Sequence, residues 1–118
     1  MSRKLDQLIA QHLFDIQTKD IEIIENGVRI HCRNYEPYSS CPEKAFAVIR
    51  EMEALRYSKW RVYRTENGYD FTFFQEPLYR EGKLPESFAG EALGCPTFEE
   101  AVARAALDVL DVEVPDES

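Results

Sequence analysis

The sequence is short of the residues on which most enzyme chemistry depends. Its 118 residues include only two histidines, His12 and His31, which leaves few conventional general bases. No glycine-rich phosphate loop, Gly-x-Ser-x-Gly elbow or His-Glu-x-x-His helix occurs. No apolar run approaches the roughly 20 residues of a membrane-spanning helix. Residues 1–16 lack the apolar run and small-residue cleavage site of a secretory signal. Cysteines number three, an odd count that points to reduced thiols and a cytoplasmic location. Cations are outnumbered, 14 Lys and Arg against 22 Asp and Glu. The resulting charge of −8 argues against a general binder of nucleic acid or anionic membrane. No cofactor is expected, and the chain reads as non-enzymatic.

What is present is the material of one folded domain spanning residues 1–118. An apolar content of 44%, with 12% aromatics, is enough for a core. The clearest segment is a helix over 40–56. Ser40 and Glu43 have the spacing of a capping box, and Pro42 falls in the first turn, where its missing N–H costs nothing. Ala45, Val48, Ile49, Met52 and Leu55 make its apolar stripe. Before it, residues 3–16 read as an amphipathic helix with Leu5, Leu8, Ile9, Leu13 and Ile16 on one face. Lys4, Asp6, Gln7 and Gln11 lie on the other.

Two hairpins flank the central helix. Residues 20–33 alternate around Asn26-Gly27, the favoured pair for a type I′ turn, with Arg29, His31 and Arg33 on one face. Residues 60–75 alternate around Asn67-Gly68, and the adjacent Phe73 and Phe74 suggest a strand end covered on both faces. A long connection, 76–94, follows, within which Phe88–Leu93 has the makings of a short strand. Thr97 and Glu100 then head a last helix over 97–110, with Phe98, Ala101, Val102, Ala105, Val109 and Leu110 inward. Residues 112–118 form a tail. The expected fold class is α+β in α-β-β-α-β-β-α order, with helices packed on one four-stranded, largely antiparallel sheet. Repetition of Glu-Asn-Gly at 25–27 and 66–68, and of Cys-Pro at 41–42 and 95–96, suggests a duplicated unit.

Candidate sites are sparse. Arg56, Lys59, Arg61 and Arg64 interleave with Tyr57, Trp60 and Tyr63, a pattern suited to an anionic, nucleotide-like ligand. Strand alternation with aromatics inward and arginines outward explains the same pattern and is the favoured reading. Glu51, Glu53, Glu99, Glu100, Asp108 and Asp111 make acidic helix faces suited to a protein partner. Cys32, Cys41, Cys95 and His31 are of the right types for zinc but have no knuckle spacing, so free thiols are expected and no metal. Cys41 and Cys95 each precede a helix start, where a thiol pKa is lowered.

Tyr38-Ser39-Ser40 running into Ala45-Phe46-Ala47-Val48-Ile49 resembles the central motif of the phage ABA-sandwich proteins. Three more pieces match in the same order: the first helix with Leu8-Ile9-Ala10, the hairpin Trp60–Phe74, and Ala92–Thr97 leading into Ala101–Leu107. A Gly-Trp pair common after the first helix of that family is replaced here by Phe14-Asp15-Ile16. The resemblance implies an α/β/α sandwich, a bacteriophage or prophage origin and no catalytic residues. On these grounds the expectation is an accessory protein, in the cytoplasm of a bacterial host, that binds a host protein as an acidic counter-defence inhibitor. A binder of a nucleotide-like small molecule is the alternative. Hairpin edges and the alanine-lined last helix offer surfaces for a homo-oligomer.

Overall fold

The computed structural model describes residues 3–75 and 87–114. Its elements run α1 (Arg3–His12), β1 (Asp20–Glu25), β2 (Val28–Arg33), α2 (Pro42–Ala54), β3 (Lys59–Thr65), β4 (Gly68–Gln75), β5 (Ser87–Cys95) and α3 (Phe98–Val109). The mixed α+β class is as expected, but the single four-stranded sheet is not what forms. Among the described residues β3, β4 and β5 make one three-stranded antiparallel sheet, and β1 and β2 pair only with each other. Strand β5 takes the last eight residues of what reads in sequence as the connection 76–94 and extends the short strand read at Phe88–Leu93 at both ends. Its alanines and glycines have weak strand propensity, which shortens the strand that pattern reading finds there. Residues 76–86 of that connection and 115–118 of the tail lie outside the described residues. No helix among the described residues is long and apolar enough to cross a membrane.

Helix α3 is the centre of the molecule. Ala101, Val102, Ala103, Ala105, Ala106 and Leu107 are all fully buried, so the apolar face is broad and leaves Glu100, Arg104 and Asp108 as a narrow polar stripe. On one side it covers β4 and β5; on others it meets α1 and α2. The contact with the sheet runs through rings. Phe71 stacks on Trp60 at 5.3 Å, touches Phe73 at 4.8 Å and meets Phe98 of α3 edge-on at 5.9 Å. Further along, Gly90 lets the α3 backbone approach β5. A Cβ there would stand 2.7 Å from both the Val109 backbone nitrogen and its Cγ2.

The helix ends show which capping signals operate. Thr97 Oγ1 accepts from the Glu100 N–H at 3.2 Å, as its spacing suggests. The box at Ser40 does not form: α2 starts at Pro42, its N-cap is Cys41, and no side chain caps it. Helix α1 stops at His12 rather than Ile16. The chain turns at Asp15, φ 54°, and the Ile16 N–H donates to the Ala10 carbonyl at 2.9 Å. In the first hairpin Asn26 and Gly27 both have positive φ, the type I′ signature. In the second the loop residues are Glu66 and Asn67, and Gly68, at φ 125°, opens β4 instead.

Substituting Gly90 by alanine should lower unfolding free energy by about 1–3 kcal/mol, because the obstacle includes helix backbone rather than only a movable side-chain tip. The shift in urea midpoint reads this directly, and an unchanged midpoint would mean that α3 does not approach β5 so closely.

Candidate functional site

Strand pairing divides the basic and aromatic residues of β3 between two faces. Trp60, Val62 and Arg64 pair with Phe73, Phe71 and Tyr69 and so share the face that α3 covers. Lys59, Arg61 and Tyr63 pair with Phe74, Thr72 and Asp70 on the opposite face. The aromatic-in, arginine-out pattern therefore holds only in part, since Tyr63 lies outward and Arg64 on the helix side. One face of the Trp60 ring is occupied by Phe71. Arg61 lies 5.2 Å above the Phe74 ring and Arg64 5.8 Å above Tyr69. Arg56 belongs to neither row. With φ 76° it is the left-handed residue that ends α2, and the following Tyr57 N–H donates to the Met52 carbonyl at 2.9 Å. The five residues nominated for a nucleotide-like ligand thus do not converge.

The acidic set is also dispersed. Glu51 is half-buried and Glu53 exposed on α2, while Glu99 and Glu100 sit in the first turn of α3 and Asp108 in its last. Nine residues separate Glu99 from Asp108, a rise of about 13 Å along the axis. Glu100 Oε2 lies 3.6 Å from Arg104 Nε, and Asp108 Oδ2 accepts from the Glu91 N–H at 2.9 Å. Asp111, φ 58°, ends α3 as Arg56 ends α2, with the Val112 N–H donating to Leu107 at 2.9 Å. Three of the six acids therefore have work within the fold.

What the pairing does assemble is the sheet face away from the helices. Phe74 of β4 lies opposite Phe88 of β5, with Tyr63 on β3 and Leu93 further along β5. Tyr63, Phe88 and Leu93 are 58%, 59% and 64% exposed, large values for apolar side chains on a regular sheet. Lys59, Arg61, Asp70 and Glu91 stand among and around them, and Asp70 Oδ1 also accepts from the Gly94 N–H at 2.8 Å. Sequence reasoning did not nominate Phe88 or Leu93. The available signal was the Phe73-Phe74 doublet, which implies apolar surface on both sides of β4. No helix of the described chain covers that outer face, unlike the α/β/α sandwich expected. Of two clefts among the described residues, the first shares Glu91 and Leu93 with this face. It measures about 330 Å³, runs beside β5 and includes Cys95, Arg104 and Asp108; the second, of about 450 Å³ on α2, includes Phe14, Lys44 and Arg50.

Buried titratable groups serve structure. Asp6, expected on the polar face of α1, is 3% exposed and ties that helix to the loop before α2. Its Oδ1 accepts from the Ser39 N–H at 2.8 Å and from the Ser39 hydroxyl at 2.7 Å. Burial raises its pKa, opposed by the two Ser39 hydrogen bonds and by the charge of Arg33. Burial likewise pushes the Cys95 thiol up, the opposite of the lowering expected beside a helix start. Cys32 is exposed and Cys41 half-buried; all three are free thiols. No group of three potential metal ligands occurs among the described residues, and the His31 side chain lies outside them. His12 is exposed at the end of α1.

Two outcomes follow from these placements. Because folded Asp6 holds its proton more tightly than the ordinary carboxylate value of 3.8, its contribution to stability grows as pH falls from the folded pKa toward that value. Asp6→Asn keeps the acceptor oxygen and should abolish this increment in urea melts over acid pH. Asp6→Ala should cost about 1–3 kcal/mol through the orphaned Ser39 donors. Arg56→Gly and Asp111→Gly should each stabilise by roughly 0.5–1 kcal/mol, glycine being unstrained at positive φ. A loss of stability in thermal melts would mean that the two side chains do more than stop a helix.

The fold and its surfaces stand without a named relative: no protein-family model, curated protein or solved structure matches the chain.

Proposed function

We propose that the chain is a non-enzymatic phage or prophage accessory protein that acts by binding a host protein. The observation that carries the reading is the outer face of the β3–β4–β5 sheet. Tyr63, Phe88 and Leu93 stand well exposed there beside Phe74, with charged residues interspersed. A water-facing sheet face normally alternates to polar residues, and apolar side chains kept there are the mark of an interaction surface. The resemblance of Tyr38–Ser40, Ala45–Ile49 and Ala101–Leu107 to the ABA-sandwich proteins supports a phage setting. The charge of −8 favours a basic partner, as an inhibitor of a nucleic-acid-handling defence enzyme would meet. Exposed acids such as Glu53 then steer association while the aromatic face supplies the contact.

Immobilised protein exposed to bacterial host lysate should retain a discrete partner. Phe88→Asp and Leu93→Asp should each weaken retention at least tenfold while leaving the thermal melt in place. Retention should slow but persist as salt rises, because the apolar contact is not screened. An absence of any retained protein across the salt series, or retention indifferent to both substitutions, would remove the reading.

A further inference from the structure

The β1–β2 hairpin is the least supported part of the described chain. Its two strands pack on each other, and its apolar face carries Ile21, Ile23, Val28 and Ile30, every one of them exposed. Glu22 and Ile24 lie on the other face with Arg29. Among the described residues, strand β1 has its outer edge without a strand partner, and so does β3 at the margin of the three-stranded sheet. Open edges of this kind are templates for pairing.

The two edges fit each other residue by residue. Strand β1 reads Asp20-Ile21-Glu22-Ile23-Ile24-Glu25, and the first six residues of β3 read Lys59-Trp60-Arg61-Val62-Tyr63-Arg64. Laid parallel and in step, each acid falls opposite a cation and each isoleucine opposite Trp60, Val62 or Tyr63. In a parallel pair, residues side by side point to the same face, so the match extends to both faces at once. Ile21 and Ile23 join Trp60 and Val62 over the helix layer. Glu22 joins Arg61 on the outer side, away from α3. An antiparallel register that keeps Glu22 opposite Arg61 puts Asp20 against Tyr63 and Ile24 against Lys59, and the match is lost.

We propose that the hairpin is an arm that adds β1, parallel and in this register, to the β3 edge of a second copy of the same chain. Charge complementarity identifies the occupant: β1 carries three acids and no cation, and β3 three cations and no acid. The base of the arm is fastened within its own chain. Asn34 Oδ1 accepts from the Lys19 N–H at 2.6 Å, and Asn34 Nδ2 donates to the Gln17 carbonyl at 2.7 Å. That clasp closes the base of the arm, and the arm and β3 belong to separate sheets. Each copy offers one arm and one receiving edge, so a two-fold axis uses both and closes the assembly as a dimer. The Glu22–Arg29 ion pair at 3.4 Å, both side chains well exposed, is a weak competitor for Glu22.

Sedimentation of the purified full chain at micromolar concentration tests this. The unaltered protein should show the mass of two chains, shifting toward one as salt is raised. Glu22→Arg with Glu25→Arg reverses the arm, and Arg61→Glu with Arg64→Glu reverses the edge. Each double variant alone should dissociate at least tenfold more readily. Their equimolar mixture should recover the two-chain mass, since both contacts are again complementary in the mixed dimer. Hydrogen exchange on the unaltered chain needs no substitution: amides of β1 and β3 should become more protected as concentration rises. A one-chain mass for the unaltered protein overturns the proposal. So do variants that dimerise unchanged, a mixture that stays dissociated, or β1 and β3 protection independent of concentration, as pairing within one chain would give.

Discussion

Burial of α3 on all but the side that carries Glu100, Arg104 and Asp108 is the constraint on which the rest of this structure depends. A helix with Ala101, Val102, Ala103, Ala105, Ala106 and Leu107 all out of water cannot be a surface helix with one apolar stripe. It needs a sheet on one side and other helices elsewhere, and its small residues let them come close. Gly90 answers that need from β5, and the Phe71 ring answers it from β4. Because α3 takes the inner sheet face and also holds α1 and α2, no helix of the described chain remains for the outer face. The exposure of Tyr63, Phe88 and Leu93 is a consequence of how the helices are shared out.

Local signals in this sequence were legible where backbone chemistry is decided by a few neighbours. Asn26-Gly27 specified a type I′ turn because both positions require positive φ, and Thr97 specified a helix start through one hydrogen bond. The same reasoning missed by a residue where two starts compete. Cys41 took the N-cap of α2 from Ser40 because Pro42, with its fixed φ, suits the first helical position. Pattern reading found only the Phe88–Leu93 part of β5, because Gly90 serves close approach to α3 and Gly94 a positive φ, and neither favours a strand. It also put Asp6 on a solvated face, since helical spacing cannot show that Ser39, 33 residues away, brings two donors to it.

The candidate site was less legible than the fold, for a related reason. Grouping Arg56, Lys59, Trp60, Arg61 and Arg64 by proximity in sequence ignores the two-residue period of a strand, which sends neighbours to opposite faces. Grouping the acids by helix ignores that some are needed at home. Arg56 and Asp111 turn out to mark helix ends, a position that glycine usually holds and that composition does not advertise. The surface that does assemble, Phe74 with Phe88, Leu93 and Tyr63, draws on three strands, and its one local signature is the Phe73-Phe74 doublet on β4.

The relation between β1 and β3 shows what structure adds to a sequence that already contains the information. The six-residue match of acids to cations and isoleucines to Trp60, Val62 and Tyr63 is present in the bare sequence. It has no meaning until both segments are known to be strands, each with an open edge. One sheet holding both hairpins, as the residue pattern suggests, is a way of satisfying that match inside one chain. The observed separation of the sheets leaves β1 and β3 unpaired with each other within one molecule. Matched open edges lying in separate sheets of one chain are the arrangement from which exchange between identical chains arises, because a second copy presents the same two edges.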